Sequence, residues 1–402
     1  MGLPDDALQM PPLLPITVRA TRHADRLGFV LGPGVRVVVS HSSESMSTAV
    51  LLASRIGEVC DALVAVHHDD GGGPGAVVLR LAEPDALGLP PDLPEEITRE
   101  AYRLEVRPHG VMLQAVRPAG LMRGAATLLQ LGRTPETQDP GAPPLVVVPA
   151  VSIVDHPRHV WRGVALTLGP SEEDLDTALR TLERMAELKL NVLQLRVDGS
   201  TALAAYQAVV HHANARCIDV VPELGPEAAP ELLEAFVAST PGPCGHVGGD
   251  APGEDVGAAT VMQLRDVGML DRLEEVRGAV AEGARVVVCT GMLTAGGAAG
   301  PEAGTTPMAR VRALQQADPE GLLGVPTSAL LGMATSMQPD DGTSPFCEGP
   351  DQDVADDVAA HLAALAELGW SGPGRSDWDS FSVRLGRLSG RIGRAPALAV
   401  RW

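Results

Sequence analysis

Trp161-Arg-Gly-Val-Ala-Leu-Thr-Leu168, Ser171-Glu-Glu-Asp174 and Asn191-Val-Leu-Gln-Leu-Arg-Val197, in that order, decide the fold. The first and last are short runs dominated by apolar residues, which read as buried strands. Between them, Ser171 followed three residues later by Asp174 is a capping-box-like helix start. Leu175, Leu179, Leu182, Met185 and Leu188 keep helical spacing behind it. Strand, helix, strand in this order is a βαβ unit, whose strands run parallel. The alternation goes on. Ala205 to Ala215 reads as helix, Ile218 to Pro222 as strand, Pro230 to Ala238 as helix, His246 to Asp250 as the end of a strand, Arg285 to Cys289 as strand and Ala355 to Leu368 as a terminal helix. Repeated β-α units of this kind predict an α/β fold, a short (β/α)8 TIM barrel over residues 156–402.

Upstream, the pattern is different. Val35 to Val39, Ala76 to Leu81, Tyr102 to Val106 and Val111 to Val116 read as strands, the last two forming a hairpin across Pro108-His-Gly110. Thr48 to Leu63 and the run from Gly120 to Leu131 read as helices. Residues 1–11 are expected to be a disordered terminus and 12–155 a small α+β sandwich domain. A Pro-rich stretch, Pro135 to Pro149, leads out of it.

The formal net charge of -20 and the lack of any basic run exclude a nucleic-acid binder, which needs a cationic face to displace counterions. No apolar stretch is long enough to span a bilayer and the first residues do not resemble a signal peptide, so a cytoplasmic address with no membrane partner is expected. Five widely spaced cysteines without a CxxC pair indicate neither a disulfide framework nor a zinc site. His67-His-Asp-Asp70 precedes a glycine-rich run and reads as a solvated turn. His211 and His212 are neighbours on a helix and share no face. No metal and no cofactor are expected.

Taken together in order, seven segments resemble family 20 glycoside hydrolases, the β-N-acetylhexosaminidases. They are Glu100-Ala-Tyr102-Arg-Leu ("eaYxL"), Gly120 to Leu131 ("aGxxxGxxTLlQL"), Ile153-Val-Asp155 to Trp161-Arg162-Gly163 ("I.D.P...wRG"), Lys189-Leu-Asn191 ("KlN"), Arg216 to Glu223 ("RgI.viPE"), His246-Val-Gly-Gly-Asp250 ("HiGGDE") and Ala366-Glu367 to Arg384-Leu ("AE.aWs...rdw..F..Rl"). The resemblance implies substrate-assisted chemistry, in which the acetamido oxygen of the sugar attacks the anomeric carbon. An Asp of the protein holds that group and the adjacent Glu protonates the leaving oxygen. Asp250 matches the first role. Ala251 stands at the place of the acid, and a methyl group donates no proton. General-acid help is worth roughly 10² to 10⁴ in rate. Glu254, beyond Pro252-Gly253, is the candidate substitute acid.

Other positions depart as well. The resemblance implies a cage of Trp residues around the sugar, yet Trp161, Trp370, Trp378 and Trp402 all fall outside the middle strands. Thr167 stands where strand one has Asp, and Gln194 and Arg196 where strand two has "HlH". Arg162, Glu223 and His246 are the candidate substrate-binding residues that remain. Arg162 is read either as a sugar-binding Arg at the C-terminal end of its strand, able to pair with Asp250, or as a structural ion pair. The functional expectation is a hexosaminidase-like protein impaired in hydrolysis and repurposed to bind a small-molecule or sugar-like ligand at the barrel mouth. The alternatives are an active enzyme on an unusual glycosylated or secondary-metabolite substrate and a scaffold subunit. Oligomeric state is not legible.

Overall fold

The computed structural model of the chain describes residues 11–40, 43–68, 72–133, 145–197, 203–224, 261–264, 271–295, 306–337 and 351–392. The chain divides into two compact units, residues 1–157 with Ala215–Cys217, and residues 158–214 with 218–402.

The first unit carries β1 (Arg19–Arg22), β2 (Phe29–Leu31), β3 (Arg36–Ser40), β4 (Ala65–His68), β5 (Ala76–Leu81), β6 (Tyr102–Arg107), β7 (Gly110–Ala115), β8 (Val146–Val148) and β9 (Val151–Asp155). Seven of them form one mixed sheet in the order β1-β9-β6-β7-β5-β3-β4, and β2 pairs with β8. Period-two alternation puts Tyr102, Leu104 and Val106 of β6 and Val111, Leu113 and Ala115 of β7 on one buried face. Helices Met46–Cys60 and Pro118–Leu131 pack against the sheet. Gly120 lets the second helix come close, because a Cβ there would collide with the carbonyl oxygen of Ala101. Inside this layer the buried Tyr102 hydroxyl donates to Asp155 Oδ2 at 2.7 Å and lies 2.7 Å from Thr127 Oγ1. The expected turn at His67–Asp70 is corrected in part. His67 and His68 end the edge strand β4, paired in register with Val38 and Val39, while residues 69–71 lie outside the described residues.

The second unit carries β10 (Trp161–Leu168), β11 (Val192–Val197), β12 (Asp219–Leu224), β13 (Val261–Leu264), β14 (Arg285–Cys289) and β15 (Leu330–Ser336). All neighbours pair in parallel, in the order β12-β11-β10-β15-β14-β13. The helix Glu172–Glu187 connects β10 to β11 and opens with the expected capping box, Ser171 Oγ accepting from the Asp174 amide. Six parallel strands stand among the described residues against the eight expected, and the expected helix Pro230 to Ala238 and strand end His246 to Asp250 lie outside them. That sheet is nevertheless curled. Gln194 on β11 and Gln263 on β13 are four strand spacings apart, about 19 Å across a flat sheet. Yet their amides exchange two hydrogen bonds, of 2.7 and 2.9 Å. Only a sheet bent back on itself brings them together.

Candidate functional site

Strand register places the concave face of this sheet residue by residue. In β10, β11 and β12, Ala165 is in register with Gln194 and Val221. One pleat further on, Thr167 is in register with Arg196 and Glu223. Side chains in register across parallel strands point the same way, so Gln194, Arg196 and Glu223 share the face on which Gln194 meets Gln263. The Thr167, Arg196 and Glu223 row lies at the C-terminal end of the strands, the end at which this architecture builds its sites.

The concave face is filled from the N-terminal end upward. The Trp161 indole folds over Gly163, where a Cβ would stand 2.5 Å from Trp161 Nε1, and packs on Val287, Leu331 and Ala334. Above it, Gln194 is 1% exposed and its amide is joined to that of Gln263, which also approaches Cys289 Sγ at 3.6 Å. At the rim, Arg196 Nη2 donates to Glu223 Oε1 at 2.9 Å. The Glu223 side chain is 5% exposed and that of Arg196 35%. The described mouth is therefore a plate of amides topped by an ion pair. Its polar groups are bonded to one another, the amides mutually and the guanidinium to the carboxylate.

The expected site residues separate. Glu223 stands at the mouth. Asp250, His246 and Glu254, with Ala251, lie outside the described residues. Arg162 is corrected in position. It is the second residue of β10, at the N-terminal end, and alternation turns it to the face opposite Thr167. Its guanidinium is fully buried, donating from Nε to Lys189 O at 2.9 Å and from Nη1 to His159 O at 2.6 Å. It lies 5.1 Å from the ring centre of Trp370, which Lys189 Nζ approaches at 4.4 Å. Asn191 ties the same region together, accepting from the Arg162 amide at 2.9 Å and donating to Val160 O at 2.7 Å. The period-two spacing between Arg162 and Thr167, an odd number of residues apart, already carried that signal. Gln263 was not singled out from the sequence. It sits at one position of the short run Val261-Met-Gln-Leu264, and only the curl gives it a partner.

Comparison with known proteins agrees with this architecture. Residues 10–156 match the model of glycosyl hydrolase family 20, domain 2. The chain is 35% identical over 169 residues to a β-N-acetylhexosaminidase of Cellulomonas fimi, a match covering 42% of this chain and 31% of that one. It thus spans about a third of the length of the curated relative it matches. The chain resembles family 20 glycoside hydrolases. The N-acetyl-β-hexosaminidase of Streptomyces plicatus, solved with Thio-NAglucal, superposes with a TM-score of 0.71 at 21% identity, covering 96% of this chain and 97% of the other. The exo-β-N-acetylglucosaminidase of Vibrio harveyi, solved with N-acetylglucosamine, gives 0.67 at 15% identity, covering 94% and 76%. At these identities the likeness is one of fold, an α/β chain with a TIM-barrel-like domain. Among the described residues no helix is long and apolar enough to cross a membrane, and no group of three His, Cys, Asp or Glu residues is placed to hold a metal ion.

Proposed function

We propose that this chain is a hexosaminidase-like protein without hydrolytic competence, whose mouth binds a small, sugar-like polar ligand. In this reading the six parallel strands belong to a (β/α)8 barrel closed by β10 and β15, and the protein works in the cytoplasm, where Cys60, Cys217 and Cys289, which form no disulfide, stay reduced. The observation that carries the reading is the Gln194–Gln263 amide pair spanning the concave face beneath the Arg196–Glu223 pair. Neutral amides donate and accept hydrogen bonds but transfer no proton near neutral pH. A guanidinium has a pKa far too high to serve as a general acid. Ala251, at the place the resemblance gives to the acid, agrees with it. Ligand hydroxyls would be held by hydrogen bonds at the rim, with Glu223 as acceptor and Arg196 as donor.

The test is hydrolysis of an alkyl β-N-acetylglucosaminide together with calorimetric titration of N-acetylglucosamine. No turnover is expected from the natural chain or from Ala251→Glu, because an acid without a held sugar has nothing within reach to protonate. Binding is expected, and it weakens at least tenfold in Glu223→Gln, the loss of about one charge-assisted hydrogen bond. Turnover that disappears in Asp250→Asn overturns the reading.

A further inference from the structure

The seven-stranded sheet of the first unit buries one face against its two helices, and strand register fixes what the other face carries. Arg19 of β1, Val154 of β9, Arg103 of β6, Gln114 of β7 and Arg80 of β5 pair in one row. Residues in register point to the same side, here away from the buried Tyr102, Leu104, Leu113 and Leu79. Arg107 shares that side with Arg103, four residues along β6, and its own row runs through Gly110 and Ala76 to Arg36 of β3. Five arginines from four strands thus stand on one face. Glu105 is the one acid that these strands place beside them.

Arg19, Arg80 and Arg107 are exposed. Glu105 Oε1 accepts from Arg103 Nε at 3.2 Å and from Nη2 at 2.9 Å, and Arg19 Nη2 reaches the Gly88 carbonyl oxygen only at 3.5 Å. Among the described residues no carboxylate pairs with Arg36, Arg80 or Arg107. On a chain of net charge -20 this face reverses the sign locally, and no basic run in the sequence shows it. Beside Arg19 the row ends in a cleft of about 300 Å³. The apolar Val18, Leu89, Pro90 and Val154 line it, together with Arg19 and His156.

We propose that this face docks an extended acidic segment of a partner protein, laid across the strands, with carboxylates on Arg19, Arg103 and Arg80 and an apolar side chain in the cleft. The three arginines stand on alternate strands, so they recur roughly every 9.6 Å. A polyproline II segment advances about 9.3 Å per three-residue turn, which sets every third side chain on one side at nearly the same interval. Guanidinium groups take carboxylates by paired hydrogen bonds, and Arg103 keeps donors beyond the two given to Glu105. The apolar cleft decides between polyanions, because nucleic acid supplies charge but no aliphatic side chain to fill it. Docking here holds whether or not the mouth binds a sugar-like ligand.

The experiment is fluorescence titration of the full chain with a labelled peptide carrying Glu at every third position, Pro between them and a Leu at each end. Saturable binding that weakens with salt is expected. Arg80→Glu is expected to weaken it about tenfold, and Arg80→Glu combined with Arg19→Glu further still. Two altered peptides test the natural protein alone. One with Gln in place of Glu is expected not to bind, and one with Ser in place of Leu to bind about tenfold more weakly. No saturable binding of the first peptide, unchanged binding in the double variant, or no effect of removing Glu or Leu overturns the proposal. A single-stranded DNA oligomer that binds as tightly as the peptide overturns it too, since the face would then take any polyanion.

Discussion

Replacing Arg162 by Ala tests whether this residue is skeleton or site. The guanidinium is fully buried and donates to two main-chain carbonyls, Lys189 O and His159 O, while stacking on Trp370. Truncation strands both acceptors, each at about 1 to 3 kcal/mol. It also removes a desolvated cation–π contact worth about 2 kcal/mol. These contributions overlap, and a loss of roughly 4 kcal/mol is the expected net. That is a large part of the 5 to 15 kcal/mol typical of a folded domain, and at about 2 to 4 °C per kcal/mol it lowers Tm by on the order of 10 °C. Arg162→Lys keeps the charge but loses the planar fork that reaches two carbonyls at once, so an intermediate loss is expected. The assay is urea denaturation of the three proteins, alongside ligand titration of whichever remain folded. Natural stability in Arg162→Ala, combined with lost ligand binding, would refute the structural assignment and return Arg162 to the site.

Two further substitutions probe the same skeleton elsewhere. Arg384 holds Glu367 by two hydrogen bonds, of 2.6 and 3.1 Å, with Ser376 Oγ donating to the same carboxylate at 2.7 Å. Arg384→Ala should cost about 3 to 5 kcal/mol by leaving a buried charge uncompensated, whereas Arg384→Met with Glu367→Met should cost less than the single change; equal or greater loss in the double variant contradicts this. In the first unit, Gly120→Ala drives a methyl into the Ala101 carbonyl oxygen, which as main chain cannot rotate away. The expected cost is about 1 to 3 kcal/mol, read as a fall in Tm, and an unchanged Tm refutes the close contact.

Elements governed by local pattern were legible in the sequence, and those governed by distant partners were not. The capping box at Ser171 and Asp174, the helix behind it and strands β10, β11 and β14 follow from spacing alone, because each rests on residues a few positions apart. The helix Pro118–Leu131 was legible for the same reason. β15 was not read as a strand, since Gly332 and the small residues of Leu330-Leu-Gly-Met-Ala-Thr-Ser336 blur its signal; a register shift in its pairing with β14 marks the same place. β4 is four residues long on a sheet edge and three of its four side chains are exposed, so its polar His67 and His68 looked like a turn. At the mouth, the substitutions at Thr167, Gln194 and Arg196 were visible as departures from the resemblance, but the Gln194–Gln263 pair joins residues 69 apart across a curl that no local pattern encodes.

Where the resemblance is strongest, the structure finds side chains bound to one another and not turned toward a ligand. Tyr102, Thr127 and Asp155 come from three separate matching segments and meet in one buried hydrogen-bonded cluster. Arg162, from the same segment as Asp155, meets Lys189 and Asn191 of the next segment and Trp370 of the last at the N-terminal end of β10, while Glu367 and Arg384 join the two ends of the last segment. Each of these groups leaves a buried charge or polar atom stranded if one member changes, so each is held by stability alone and needs no substrate to preserve it. The mouth pair answers to a different constraint, because Arg196 is 35% exposed and changing it together with its partner Glu223 leaves no buried charge stranded. A chain can therefore keep the whole pattern by which its fold is recognised while the residues that would do chemistry drift. Likeness in these segments is evidence about the skeleton, and function has to be argued from Thr167, Gln194, Arg196, Glu223 and Gln263.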